Sequence, residues 1–440
     1  MRDLFVTLII IYGVLYSIKR PHIGILLWSW LGYMNPHRLC YGFAYSQPFS
    51  QIVAIVTTLS IIFTKENKSL PKDKLVYLIL FFIFWMGLTT MFAFNSDAAV
   101  AQYTKILKIH FSIFLTLMLF KSRERINQLL WVIVISIGFF GVKGGLFTIA
   151  KGGSYHVFGP PESVIEDNNT LAVALLMIMP IMVYLKSTLT SKWQQQLMLF
   201  SLISIGFSVL GSQSRGAFLA ISAVGYYFWM HSNSKIKSAL IIMVFVGIAY
   251  AILPDTWYQR MNTINTYQQD ESANGRLSAW EMAFNVANRN LLGGGLDLWS
   301  PSTYLKYLPG YDPITMPSFV AHSIYFSVLG EHGWFGLLLF LTILLTAWLY
   351  TGKLYKEYNG KEGLQWIADL AKMIKISLLA YCTGGAFLSL SYLDLAWHLI
   401  SITILLKVIA SQSNNAIPDT GPIIKPTEHR IKIDSQGYIR

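Results

Sequence analysis

Three basic side chains stand out among 440 residues that are mostly apolar. Arg215 lies in the run Gly-Ser-Gln-Ser-Arg-Gly-Ala, where small residues let the chain turn tightly after an apolar block. Arg276 opens a stretch ending at Asn290 that reads as an amphipathic helix, with Leu277, Trp280, Phe284 and Ala287 at three- to four-residue spacing and Asn274 as a candidate cap. His322 stands where a long polar loop meets the next apolar block, and Glu331 and His332 follow about one and a half nanometres along if that segment is helical. Guanidinium groups bind phosphate oxygens in pairs, and an imidazole can take a proton near neutral pH. Ionisable groups at membrane depth are costly and tend to be functional. The bland readings are a snorkelling arginine, a solvated helix face and an interfacial structural histidine.

Polar residues elsewhere add to this set. Asn168 and Asn169 precede an apolar block and could be helix caps or contacts for a sugar. Lys105, Lys108 and His110 sit near one end of a candidate span, placed to meet lipid phosphates or simply to snorkel. Gly293, Gly294 and Gly295 could bring backbone amides close to a ligand, a weak signal on its own. No Asp-x-Asp pair, Walker loop, Gly-x-Ser-x-Gly or His/Cys ligand cluster occurs, so neither a metal nor a cofactor is expected. Cys40 and Cys382 are too few for a disulfide framework.

These residues must be held by membrane helices. Hydrophobic residues make up 54% of the chain and charged residues 13%, with a mean hydropathy of +0.48; a soluble domain carries roughly 25% charged residues. Apolar blocks such as Leu75 to Phe94, Leu129 to Phe147, Leu171 to Leu185 and Trp334 to Tyr350 approach the roughly 20 residues that cross a bilayer. The expectation is an all-α polytopic protein with 12 or 13 spans. Its membrane domain covers residues 1–410, with a large, partly helical outer loop at 254–321 and a mobile tail at 411–440. Leu4 to Met34 reads as a hairpin or a broken span, with no cleavable signal.

Alternate loops differ in charge. One set carries 21 Lys and Arg, the other 9 although it includes the longest loop. Cytoplasmic loops collect such residues. This puts the C-terminus in the cytoplasm, and Arg215, Arg276 and His322 at the outer face. The net charge of +12 is thereby explained without a nucleic-acid partner.

At these residues the chain resembles the O-antigen ligase and O-antigen polymerase superfamily. Gly275-Arg276-Leu277 with Trp280 and the Gly-rich segment to Leu296 resembles its Gly-Arg signature. Ser212 to Ala217 matches Ser-x-Ser-Arg-Gly-Ala, and Ala321-His322-Ser323 with Glu331 and Gly333 matches His…Glu-x-Gly, with serine in place of the frequent asparagine. Asp167 to Ala172 is similar to its Pro-Asn-x-x-Ala element, with Asn168 where proline is common. The likeness spans residues 155–345. Arg20 to Gly24 and Met34 to Arg38 resemble a narrower branch, the O-glycosylation ligases that accompany exosortase systems. The resemblance implies a bacterial inner-membrane glycosyltransferase that moves a glycan from undecaprenyl diphosphate onto a glycan, lipid or protein acceptor at the periplasmic face, with inversion and without a metal. It casts Arg215, Arg276 and His322 as catalytic, and Asn168, Asn169, Lys105, Trp280 and Glu331 as substrate-binding. A polymerase of lipid-linked repeat units shares these motifs. A transporter or flippase for lipid-linked sugars would instead show mid-membrane charges and internal repeats. A scaffold without chemistry would leave the three basic residues dispensable.

Overall fold

A computed structural model describes residues 1–232, 234–252 and 271–416. The first part of the long outer loop, 254–270, and the tail beyond 416 lie outside the described residues. Among the described residues every regular element is a helix. We number the α-helices in chain order: α1 Arg2–Lys19, α2 Pro21–Met34, α3 Phe49–Phe63, α4 Lys74–Met91, α5 Ser96–Leu119, α6 Arg123–Ala150, α7 Asn168–Ser187, α8 Lys192–Gly211, α9 Arg215–Met230, α10 Lys235–Ile252, α11 Glu271–Arg289, α12 Pro301–Tyr307, α13 Ile324–Tyr358, α14 Gln365–Gly384 and α15 Asp394–Ala416.

Seven of these, α4, α6, α7, α8, α13, α14 and α15, are long and apolar enough to cross a membrane by length and composition. The protein is a polytopic, all-helical membrane protein. Several blocks that contribute to the expected 12 or 13 spans form shorter helices, of 14 residues in α2, 15 in α3 and 16 in α9. The α5 helix is 24 residues long, but Asp97, Lys105 and Lys108 dilute its apolar character.

The α7 helix is the axis of the bundle. Leu171 to Ile178 are almost wholly buried, because α6, α8, α9 and α14 pack around it. A helix apolar on all sides belongs in such a position. Pro180 lies inside it without ending it. Glycines permit the closest crossings: a Cβ on Gly145 would fall 1.8 Å from the Ser204 carbonyl oxygen of α8, and one on Gly211 would meet the Thr148 side chain of α6.

Only Arg20 separates α1 from α2, and the two form a hairpin that buries Val6 and Ile10 with Leu27 and Leu31. Asp3 accepts hydrogen bonds from the backbone N–H of Gly42 (3.0 Å) and Ala44 (3.1 Å). The start of α1 therefore lies beside the loop after α2. That loop is tied in turn to the segment before α7: Arg38 pairs with Glu162 at 3.1 Å, and Asn35 donates to the Pro161 carbonyl at 2.6 Å. At the far end, Arg125 bridges to Glu66 at 2.7 Å and Lys407 to Asp73 at 2.5 Å.

The α11 helix corrects two expectations. It begins at or before Glu271, so Asn274 lies within it and does not cap it. Its buried face is Ala279, Met282, Ala283, Val286 and the expected Ala287, whereas Leu277 and Phe284 are exposed. Small side chains face inward because α11 packs closely on α13, where a Cβ on Gly330 would already touch that of Ala283 at 3.0 Å. Phe284 instead meets Trp334 edge to face.

Candidate functional site

Two sharp turns and one loop bring the three basic side chains together. Arg215 is the first residue of α9, whose N-cap Ser214 accepts the Ala217 N–H at 3.2 Å. The turn before it is fixed from several sides. Gln213 takes a left-handed backbone (φ 54°) and donates to the Gly153 carbonyl at 3.0 Å, and Ser212 offers its carbonyl to the Asn168 amide at 2.6 Å. The last contact ties the start of α7 to the start of α9, which is why Asn168 is itself buried.

Arg276 and the loop carrying His322 are held by one helix. Gly275 lets the Phe319 ring lie against α11, where a Cβ would come within 2.7 Å of it. Trp280, stacked on Phe326 at 4.7 Å, donates its indole N–H to the Ala321 carbonyl at 2.7 Å. Tyr304 of α12 donates to the Phe319 carbonyl at 2.6 Å. So clamped, His322 adopts φ 44°, a left-handed conformation that few non-glycine residues take. Such strain survives only where the surroundings over-determine it, and it clusters at functional sites.

Asn169, Ser214, Arg215, Gly216, Arg276, His322, Phe387 and Leu388 line one pocket of about 220 Å³. The N-termini of α7 and α9 enter it together, Asn169 and Gly216 being second residues of their helices. Helix N-termini carry partial positive charge, but the Asp167 carboxylate takes the Asn169 and Thr170 N–H groups of α7 at 2.9 and 3.3 Å and Ser214 takes the Ala217 N–H of α9, so Arg215 and Arg276 carry most of the positive charge of the pocket. Gly216 allows Phe387 to close in, since a Cβ there would lie 3.2 Å from that of Phe387. Burial, then the Arg276 guanidinium, push the His322 imidazole below its ordinary value, while Asp167 pulls the other way. The histidine is thus neutral at pH 7, able to accept a proton. The arrangement can hold a di-anion, offer a base beside it, and exclude bulk water on the Phe387 side.

The other sequence candidates lie elsewhere. Trp280 is not among the lining residues and acts on the pocket through Ala321. Glu331 is buried in α13, accepting from Tyr392 at 2.7 Å and Trp299 at 3.4 Å. His332 beside it bonds Thr89 and Tyr392, both at 2.7 Å. Lys105 and Lys108 are exposed in the middle of α5, away from the lining residues, because α5 begins at Ser96 rather than near Ile106. His110 is fully buried against Trp397 and neither snorkels nor reaches lipid. Gly294 and Gly295 give their N–H groups to the Gly330 (2.8 Å) and Glu331 (2.9 Å) carbonyls, so these amides are spent on packing. Asp167 and Gln213 are the residues that sequence reasoning passed over; the N-cap position of Asp167, two residues before Asn169, was the available signal.

Comparison with known proteins divides the chain in two. Residues 1–190 match a family described as of unknown function, and residues 197–341 match the family described as O-Antigen ligase. No curated protein matches the chain. The pocket takes Asn169 from the first region and Arg215, Arg276 and His322 from the second.

Proposed function

We propose, from the match of residues 197–341 to the O-antigen ligase family, that the chain transfers lipid-linked glycans, and that it does so by an inverting, metal-independent transfer from undecaprenyl diphosphate at the periplasmic face. The supporting observation is the convergence of Arg215, Arg276 and His322 on one pocket at two helix N-termini. In this reading the donor diphosphate lies between the two guanidinium groups, beside the starts of α7 and α9. An acceptor hydroxyl attacks the anomeric carbon as the C–O bond to diphosphate breaks. The hydroxyl proton passes to neutral His322, and the charge left on the diphosphate is held by the arginines. Asn169 orients the diphosphate or the first sugar. Asp167 steadies the imidazolium that forms. The excess of Lys and Arg in the opposite loops supports a cytoplasmic C-terminus and a bacterial inner membrane as the location.

The test uses purified protein in lipid nanodiscs with an undecaprenyl diphosphate-linked glycan and, in separate arms, a lipid A core, a protein and a second lipid-linked unit as acceptor. Arg215→Lys and Arg276→Lys keep the charge but lose the planar fork. Each should slow transfer by roughly 30- to 1000-fold, the loss of about 2–4 kcal/mol of transition-state stabilisation. His322→Ala should nearly abolish turnover while donor binding persists. Near-normal transfer in both His322→Ala and Arg276→Lys would overturn the site and favour a transporter. Elongation of the lipid-linked unit alone would identify a polymerase.

A further inference from the structure

A second cavity of about 260 Å³ opens beside the first, lined by polar Asn35, Ser50, Glu162, Ser163 and Asp394 over aliphatic side chains from α5, α6 and α7. The two cavities are bracketed by the same two segments. Ile165 lines this one and Asn169 the other, four residues on, so their Cα atoms lie no more than about 14 Å apart. Leu388 lines the anion pocket and Leu393 this one, five residues on.

The chemistry of the two is opposite. Among the described residues no lysine or arginine lines the second cavity. Glu162 is held by Arg38 and by the Tyr45 hydroxyl at 2.6 Å, in a left-handed backbone (φ 57°) that its surroundings must enforce. Asp394 takes the Leu395 N–H on one carboxylate oxygen at 2.8 Å, and its other oxygen lies 4.0 Å from where a Cβ on Gly32 would stand. Two carboxylates, two serine hydroxyls and an amide over an apolar floor suit a ligand that donates several hydrogen bonds and carries no negative charge.

We propose that this cavity is a subsite for an uncharged, hydroxyl-rich sugar unit of the acceptor. The proposal rests on the transfer reading above. The donor is already anchored by its diphosphate, whereas every cation of the anion pocket is directed at phosphate and leaves the acceptor nothing to hold. A separate neutral-sugar site one or two sugar units away supplies that hold. It is built mostly by the region 1–190, which gives that region a role in choosing the acceptor.

The test is binding of methyl α-D-glucopyranoside to the intact protein in nanodiscs, read by saturation-transfer NMR, with glucose 1-phosphate as the charged comparison. Gly32 is exposed within α2 and lines the cavity, and a Cβ there meets only the Asp394 oxygen at 4.0 Å, so Gly32→Leu places bulk in the cavity from a position that accepts a side chain. We expect Gly32→Leu and Asp394→Asn each to weaken glycoside binding at least tenfold, and Arg276→Lys to leave it unchanged. Binding should persist when the donor lipid is present at saturation. Undiminished binding in Gly32→Leu, preference for the phosphate, or displacement of the glycoside by donor lipid would each overturn the assignment. Because this readout needs no turnover, failure of the transfer reading would appear separately, as a wild-type protein that binds glycoside but moves no glycan.

Discussion

As the proposed base, His322 must be unprotonated to act, and its neighbours bear on that. Burial and Arg276 hold its imidazole below the ordinary value near 6.5, and Asp167 opposes them. A base must be unprotonated to act, so activity should fall as pH drops through this lowered value, with the acidic limb below about pH 6.5. Removing the Arg276 charge removes a lowering influence, so Arg276→Gln should move the limb to higher pH. Asp167→Asn removes a raising influence and should move it lower, while asparagine still caps α7. Profiles of kcat/KM against pH for the three proteins check this, and a limb that stays fixed in both variants would exclude the assigned base. The same residues set the expectation for metal. In the proposed site two guanidinium groups meet the leaving diphosphate, so transfer should survive EDTA; a loss restored by magnesium or manganese would show that they are not enough. Arg215, Arg276 and His322 were legible in sequence because charge is scarce in an apolar chain. Asp167 was not, since its influence on His322 depends on a tertiary approach across 155 positions.

At the scale of elements, the glycines explain why these side chains arrive where they do. The Gly293–Gly295 run looks in sequence like a ligand loop, yet the structure uses it as a docking surface for a kink in α13. Gly333 sits inside that helix at φ 70°, and a Cβ there would fall 2.3 Å from the Leu291 carbonyl oxygen. The kink aims Glu331 and His332 into a buried network with Thr89, Tyr392 and Trp299. Tyr392 belongs to the 385–395 segment that borders both cavities. Gly333→Ala should therefore cost about 1–3 kcal/mol for the backbone alone, with more from the overlap. A thermal-unfolding series in nanodiscs would register it, and an unchanged midpoint would refute the packing account. Trp280 makes a second element-scale case. Trp280→Phe keeps the stack on Phe326 but loses the hydrogen bond to Ala321, worth about 1 kcal/mol net. The His322 loop should loosen, so that kcat falls while donor binding holds. A parallel loss of donor affinity would instead make Trp280 a substrate contact. The helical pattern announced α11, but not its buried face, because close packing on α13 favours alanine over the larger Leu277 and Phe284.

For the whole molecule, the apolar blocks made the helical bundle legible, but the number of spans does not follow from them. A short helix such as α3 carries no mark in sequence that distinguishes a crossing from a packed fragment, and α5 mixes lysines into a long helix. The proposed orientation rests instead on the charge difference between the two sets of loops. The loops at the pocket end, including 35–48, 151–167 and 290–323, are poor in lysine, while the opposite loops hold ion pairs such as Arg125 with Glu66 and Lys407 with Asp73. A bacterial membrane retains Lys- and Arg-rich loops on the cytoplasmic side. The proposed transfer from a polyprenyl carrier requires the arginine pocket to lie on the opposite side. Labelling decides the matter if the probes are truly accessible. Thr303 is buried in α12 and unsuitable, whereas Ile314 in the same outer loop is 91% exposed, and Glu362 is exposed between α13 and α14. A cysteine at 314 should react with a membrane-impermeant maleimide in intact spheroplasts, and one at 362 only after permeabilisation. Buried Cys40 gives little background, and a Cys382→Ser protein removes the partly exposed thiol. The reverse pattern would turn the molecule over in the membrane, carry the arginine pocket to the cytoplasmic face, and remove the basis for a periplasmic transfer.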